Sequence, residues 1–448
     1  MLDFFNTIDT FVWGPPLLIL LVGTGVYLSI RLGLLQVLKL PKALRLIFSD
    51  SEGSGDVSSF AALCTALAAT VGTGNIVGVA TAIKAGGPGA LFWMWIAAFF
   101  GMATKYSEGL LAIKFREKDE NGEIAGGPMY YIVNGLGHNW KWLAILFAIF
   151  GTMTALLGSG TFTQVNSITD SIKNSVGWRP QIISIVLAIL VAIIIFGGIK
   201  SISRVSTFIV PFMAVLYVLA GLTILVVNYD KFIPSFMMVL TSAFTGKAAS
   251  GGFLGATVMV AIQKGIARGV FSNESGLGSA PIAAAAAKTE EPVEQGLISM
   301  TGTFIDTIII CTLTGMAIIV TGGWSSDFDG AVLTQSAFAS VFGQWGTWAL
   351  TLSLVLFAFT TILGWSYYGE RCFEFIFGTA SIPFYRIIFV CMVAVGGFIK
   401  LETIWAIADI VNGLMAFPNL VALIGLSPVI IAETRKYFAK KQNTLENI

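Results

Sequence analysis

The chain has 448 residues, 56% of them hydrophobic and only 11% charged, with a mean hydropathy of +0.83 and a formal net charge of +1. Soluble domains carry roughly a quarter charged residues, so this composition excludes a soluble globular protein, and the near-neutral balance gives no footprint for a nucleic-acid partner. The cysteines Cys64, Cys311, Cys372 and Cys391 form no CxxC pair, and the single histidine, His138, follows Gly-Leu-Gly in a polar loop, which leaves metal, disulfide and histidine-based chemistry without a frame.

The opening MLDFFNTIDTFVWGPP lacks the basic start and small-residue cleavage site of a signal peptide, so the first apolar run is expected to stay as a helix. About 20 apolar residues span a hydrocarbon core. Eleven runs qualify, near 11–32, 58–83, 89–113, 142–172, 181–199, 203–228, 250–287, 296–322, 345–368, 383–399 and 404–432. The expected fold class is therefore an all-α polytopic membrane protein with eleven transmembrane helices. Two runs, 58–83 and 250–287, are interrupted by glycine-rich polar stretches. The linkers are short except 33–57, 114–141, 229–249 and 323–344.

Basic residues set the orientation, because Lys and Arg are retained on the cytoplasmic side. They gather at Lys39, Lys42 and Arg45, at Lys114, Arg116 and Lys118, and in the tail at Arg435, Lys436, Lys440 and Lys441, while 323–344 holds Asp327 and Asp329 and no Lys or Arg. The N-terminus is expected outside and the C-terminus in the cytoplasm.

The two interrupted runs answer each other. Laying VGTGNIVGVATAIKAGGP (71–88) over SGLGSAPIAAAAAKTEEP (275–292) matches Gly72 with Gly276, Gly74 with Gly278, Ala80 with Ala284, Ala82 with Ala286, Lys84 with Lys288 and Pro88 with Pro292. The same offset superposes the four spans that follow each. The expected organisation is a leading helix and cytoplasmic loop (1–57), a five-helix repeat (58–228), an extracellular connector (229–249), a second five-helix repeat (250–432) and a cytoplasmic tail (433–448). Five is odd, so the second half enters the membrane in the opposite sense. Paired broken helices in such an inverted 5+5 repeat point to a transport site near the midplane.

Gly72-x-Gly74-x-x-x-Gly78 admits three readings. A dinucleotide turn needs a preceding strand and a downstream acidic residue, but the chain continues into Phe92-Trp93-Met94-Trp95 between membrane spans. A small-xxx-small packing face leaves Thr70, Thr73 and Asn75 at mid-span without a reason. An unwound helix accounts for both, since freed amides and carbonyls must then line a cavity or be satisfied otherwise. A half-helix N-terminus suits a carboxylate, and freed carbonyls suit an ammonium group or a desolvated alkali cation. The second break is more costly, because an ionisable residue at mid-membrane costs ~2.5–3.5 kcal/mol or more. Glu274 beside Asn273 is either a hub bracing the unwound backbone or a direct binder of an amine or a proton. Gln263, Lys264 and Arg268 precede it, and Asp306 and Asp409 raise the same question. Lys105 and Glu108, three apart near a cytoplasmic helix end, read as a snorkelling local pair.

At this point the sequence resembles the alanine or glycine:cation symporters, through GGPGALFWMWIAAFFG (86–101), GTGNIVGVA and FSNESGLGSAP. The resemblance covers essentially the whole chain. It implies the leucine-transporter-type fold with one additional N-terminal helix, and symport of a small neutral amino acid with Na⁺ across a prokaryotic plasma membrane. By position, it implies a substrate carboxylate at Thr73, Gly74 and the Asn75 side chain. It places the substrate amine near Thr70, Phe271 and Ser272, with Asn273, Glu274 and Gly276 completing the second break. Phe271 and Trp365 would wall the pocket and Gln164 would add an amide. Sodium, the coupling ion, would be held at Ala68 and Val71 with Thr360 and Thr361, hydroxyls that otherwise read as back-bonded to their own helix. Asn273 and Glu274 depart from the leucine carrier, which leaves a second sodium site open.

The function expected is a secondary active transporter, with membrane lipid, sodium and alanine or glycine as partners. The alternatives are proton coupling through Glu274, an intramembrane enzyme, for which HExxH and GxSxG motifs are missing, and a channel, which paired broken helices disfavour.

Overall fold

The structure is a computed structural model that describes residues 2–49, 53–245, 254–398 and 401–446. The chain is helical almost throughout, with one two-stranded hairpin, Glu117–Lys118 paired with Ile124–Ala125. By length and apolar composition seven described helices can cross a membrane, and the pair Ser59–Thr70 and Gly74–Gly86, bent by 50°, makes an eighth. Among the described residues each of the eleven expected runs contains helix, but three fall outside that description. Gly89–Lys114 runs through Lys105, Ser107 and Glu108, Pro180–Ile195 has only 16 residues, and Leu254–Asn273 carries Gln263, Lys264 and Arg268 before it breaks.

The outer surface shows what surrounds the molecule. On Pro180–Ile195 the exposed face carries Ile182, Ile185, Val186, Ile189, Leu190 and Ile193, while Ser184 and Ala188 face inward with Ile183, Leu187, Val191 and Ile195. A helix in water presents the reverse pattern. An outer face made almost wholly of bare aliphatic side chains, with a serine turned inward, fits a lipid solvent, and the chain is an integral membrane protein.

Several boundaries differ from the sequence expectation. The run 142–172 is not continuous: Lys141–Leu157 stops at Gly158, and Phe162–Val176 begins after Thr161. The last span ends at Gly425 rather than 432, because the chain turns at Leu426 and a separate helix, Ser427–Glu446, takes up the basic tail. Gly14 and Pro15 separate a short leading helix, Leu2–Val12, from the first long one, Pro15–Arg31, as a proline at the first helical position would. The long linkers hold helices of their own, among them Tyr229–Thr245 and Gly330–Phe342. Of the connector 229–249, residues 246–249 lie outside the described residues, as do 250–253 at the head of the second interrupted run.

Gly89–Lys114 lies at the centre, packed against Pro292–Thr303 and Leu254–Asn273, with its second half buried without interruption from Gly101 to Ile113. The two broken helices pack around it. Against the first of them lies Gln344–Phe377, so near that a Cβ on Gly364 would stand 2.8 Å from the Ala69 nitrogen.

Candidate functional site

The first helix of the site starts at Ser58, whose hydroxyl accepts the Ala61 amide at 3.2 Å. It ends at Thr70, because Val71 is extended (φ −77°, ψ 90°). The chain resumes in one widened π-helical turn, Gly74–Gly78. Asn75 closes this break from within. Its Oδ1 accepts the Gly72 N–H at 2.9 Å, and its Nδ2 donates to Asp306 Oδ1 at 2.7 Å and to the Asp306 carbonyl at 3.2 Å. The other Asp306 oxygen accepts Ser272 Oγ at 2.9 Å and Thr307 Oγ1 at 2.8 Å. Asp306, itself in the π-helical stretch Phe304–Cys311, thus fastens one break to the other.

The breaks touch directly. A Cβ on Gly74 would lie 2.9 Å from Ser272 Cα and 3.4 Å from the Phe271 ring, so only glycine permits this approach. Gln164, from the helix after the unexpected break at Gly158–Thr161, reaches the same place: its Nε2 donates to the Ser159 carbonyl at 2.9 Å and its Oε1 accepts the Thr73 N–H at 3.4 Å. The hydroxyls of Thr73 and Ser159 are buried here without a hydrogen-bond partner. Native structures leave few such groups.

Of the four residues expected around sodium, Thr361 comes up against the first break, while the Thr360 hydroxyl also meets Met213 Sδ at 3.6 Å. Ala68 and Val71 are buried at the end of the first half-helix, and a Cβ on Gly72 would overlap Thr361 Oγ1. Thr360 and Thr361 donate their hydroxyl hydrogens to the Phe357 carbonyl at 3.0 and 2.9 Å. Back-bonding uses the hydrogen and leaves the oxygen lone pairs available to a cation.

The second break is filled from inside the protein. Leu254–Asn273 ends at Glu274, a non-glycine residue in the left-handed region (φ 56°), and Gly276 and Gly278 follow at φ 88° and 82° before the chain resumes at Ala280–Ala285. The freed N–H groups of Gly276 and Gly278 donate to Glu108 Oε1 at 3.1 and 3.2 Å, and Asn419 Nδ2 donates to the same oxygen at 2.6 Å. Asn419 also donates to the Gly276 carbonyl at 2.9 Å and accepts the Tyr131 hydroxyl. The freed Asn273 carbonyl accepts Lys105 Nζ at 2.8 Å. The expected snorkelling pair is therefore overturned: Lys105 is 2% and Glu108 0% exposed, and their partners come from the break rather than from each other. Glu274 is pinned by two donors, Trp365 Nε1 at 2.9 Å and Ser279 Oγ at 2.5 Å. Asn273 donates to Thr307 Oγ1 at 3.0 Å and accepts the Ser275 amide at 2.9 Å.

Thr70 sits on the first half-helix, its hydroxyl 3.1 Å from the Ala66 carbonyl to which it donates. Phe271 is buried with the Arg268 guanidinium 5.4 Å above its ring. Arg268 forms a two-pronged pair with Asp409 at 3.2 and 2.9 Å, and Trp13 Nε1 donates to the Asp409 carbonyl at 2.9 Å. On that side a cavity of 420 Å³ opens, lined by Val77, Ser167, Asp170, Asn174, Arg268 and Gln335 among others.

Elsewhere two arginines join loops to helix ends. Arg116 donates to the carbonyls of Ala285, Ala287, Thr289 and Ser54 at 2.7, 2.6, 2.6 and 2.8 Å. The Ser54 hydroxyl and amide, bonding Glu290 at 2.7 and 2.8 Å, hold that carboxyl below its ordinary range. Arg371, 1% exposed, meets Asp119 at 3.0 Å, Glu123 at 2.6 Å and Glu374 at 2.8 Å, which docks the hairpin on the end of Gln344–Phe377. These two arginines tie the Ser54 turn, the Ala285–Thr289 segment and the hairpin to the helices they border.

Known proteins share this design. The profile of the sodium:alanine symporter family matches residues 1–448. The sodium/alanine symporter AgcS of Methanococcus maripaludis is 51% identical over 99% of this chain and 98% of its own length. An uncharacterized transporter of Haemophilus influenzae is 58% identical over 97% of this chain and 96% of its own. Among solved structures, MhsT in complex with L-phenylalanine superposes with a TM-score of 0.57 at 12% identity, covering 86% of this chain and 99% of that one, which shows the leucine-transporter-type fold. With its whole length matched and half its residues shared with AgcS, the chain is a transporter, not an enzyme, and belongs to the sodium:alanine symporter family.

Proposed function

We propose that the chain is a sodium-coupled symporter of alanine or glycine, working by alternating access in the plasma membrane. In this reading its eleven spans are one leading helix and an inverted 5+5 repeat, with the N-terminus outside and the C-terminus in the cytoplasm. The observation that carries the reading is the unlike state of the two breaks. At the second, the freed amides and carbonyl are met by Glu108 and Lys105. At the first, the Thr73 and Ser159 hydroxyls stay unpartnered beside Thr70, Gly74 and Gln164. A ligand with a carboxylate and an ammonium group supplies there what the protein supplies to itself at the other break. Phe271, Ser272 and Trp365 crowd the position, which favours a substrate with a minimal side chain.

Sodium, held by carbonyls at Ala68 and Val71 and by the lone pairs of Thr360 and Thr361, would fix the first break against Gln344–Phe377. Oxygen donors without charge suit a hard monovalent ion that must leave again. Fixing the break assembles the amino-acid site, so each ligand tightens the other. The test is equilibrium binding of radiolabelled alanine to the purified chain in Na⁺ and in choline. Sodium is expected to tighten binding by about 5–150-fold, the usual range for coupled sites. Equal affinity in both salts overturns sodium coupling.

Proton coupling through Glu274 makes a different prediction. Both its oxygens already accept donors, from Trp365 and Ser279, and glutamine keeps an acceptor for one and a group the serine can meet for the other. Glu274→Gln is therefore expected to keep sodium-driven uptake within about fivefold, the value of one exchanged hydrogen bond. Accumulation driven by a proton gradient alone, and abolished by Glu274→Gln, would establish the proton-coupled carrier instead.

A further inference from the structure

Where Pro15–Arg31 ends and Ser427–Glu446 passes beneath it, a cavity of 430 Å³ opens at the border of the apolar surface, lined by Arg31, Leu35, Lys39, Thr434, Arg435 and Phe438 among others. Three of these are cations. Among the described residues, none of the three makes an ion pair with a carboxylate. The nearby acidic groups are engaged elsewhere: Glu433 pairs with Lys114 at 2.7 Å, and Glu294 accepts the Tyr437 hydroxyl at 2.6 Å.

Aromatic faces position the cations without neutralising them. The Arg31 guanidinium lies 5.5 Å from the Tyr27 ring centroid and donates to its hydroxyl at 3.0 Å. Lys39 Nζ stands 4.8 Å from the Phe438 ring. Cation–π contact orients an ammonium or guanidinium group but leaves its full charge for an anion. Next to this basic wall the chain turns through Leu34 at φ 54°, a conformation that costs a branched residue energy. The turn leaves Leu34, Val37 and Leu38 exposed at 46%, 50% and 69%. Unneutralised cations above a lip of bare aliphatic side chains match one kind of ligand, an anionic headgroup carrying acyl chains.

We propose that this cavity binds the phosphate headgroup of an anionic diacyl phospholipid, whose chains lie over Leu34, Val37 and Leu38. The site stands apart from the two breaks and does not depend on which ion drives transport. The test is native mass spectrometry of the full chain in detergent with dioleoyl phosphatidylglycerol or dioleoyl phosphatidylcholine. The anionic lipid is expected to be retained over the zwitterionic one. Arg31→Gln/Lys39→Gln/Arg435→Gln is expected to weaken its retention on the order of a hundredfold, from the usual contribution of each basic residue near an anionic surface. Arg31→Lys/Lys39→Arg/Arg435→Lys, which keeps the charges, should retain it, and millimolar inorganic phosphate should not displace it. Equal retention of the two lipids, loss in the charge-keeping variant, an unchanged glutamine variant of normal thermal stability, or displacement by phosphate would each overturn the proposal.

Discussion

Glu108→Ala is expected to lower the stability of the folded chain by ~3 kcal/mol or more and to abolish uptake, because it leaves three buried donors without an acceptor at about 1–3 kcal/mol each. Those donors are the Gly276 and Gly278 amides and Asn419 Nδ2, all within 3.2 Å of one carboxylate oxygen. The amides have no alternative, since Gly276 and Gly278 hold left-handed conformations that take them out of any helical ladder. Lys105, bound to the Asn273 carbonyl on the same break, also loses its nearest counter-charge. Glu108→Gln keeps an oxygen in the same place and is expected to cost only about 1–2 kcal/mol. Thermal unfolding of the purified variants, read beside uptake in cells, separates the two. If the alanine variant melts with the wild type, the carboxylate does not hold the second break.

The second large effect is expected at Arg371. Removing one member of a buried ion cluster strands its partners, at about 3–5 kcal/mol. Arg371→Ala would strand Asp119 and Glu374 and release the partly exposed Glu123, whereas Glu370 keeps Arg386 at 2.6 Å. The loss should therefore appear at the hairpin Glu117–Ala125 before it reaches the helices, as faster proteolysis of that loop at temperatures where the core stays folded. Arg371→Lys retains one charge but not the forked geometry, so intermediate cleavage is expected. A hairpin that resists protease as well in Arg371→Ala as in the wild type would show that the cluster does not dock it.

Much of this was legible in the sequence because membrane chains obey few rules. The two breaks stood out at Gly72–Asn75 and Asn273–Gly278 because polar residues and glycines together interrupt an otherwise apolar run. The same signal is present in Gly158-Ser159-Gly160-Thr161, yet the strongly apolar stretch that precedes it draws it into one long run, although the helix that follows, FTQVNSITDSIKNSV, is largely polar. Lys105 and Glu108 were misjudged for a different reason. Their spacing satisfies a local pair, and nothing local reveals that the true partners, Asn273, Gly276 and Gly278, sit more than 160 residues away. Asn75 was expected to face a ligand, but its amide is spent on Gly72 and Asp306. A side chain that can cap its own break competes with one that serves a substrate, and sequence does not rank the two. Gln164 does reach the first break, where its amide is engaged by Thr73 and Ser159.

The grip of Arg116 has a consequence for how this protein can change over generations. All four of its short contacts are to main-chain carbonyls, those of Ser54, Ala285, Ala287 and Thr289. A lock keyed to the backbone does not read the side chains it holds. The four carbonyls survive any substitution that keeps the turn, but the Ser54 hydroxyl also holds Glu290, and Ala285, Ala287 and Thr289 are buried, so latitude there is confined to residues of similar size. Arg116 itself has no substitute, since lysine lacks the fork that spans four oxygens, and mutational tolerance on this face should be narrowest at that residue.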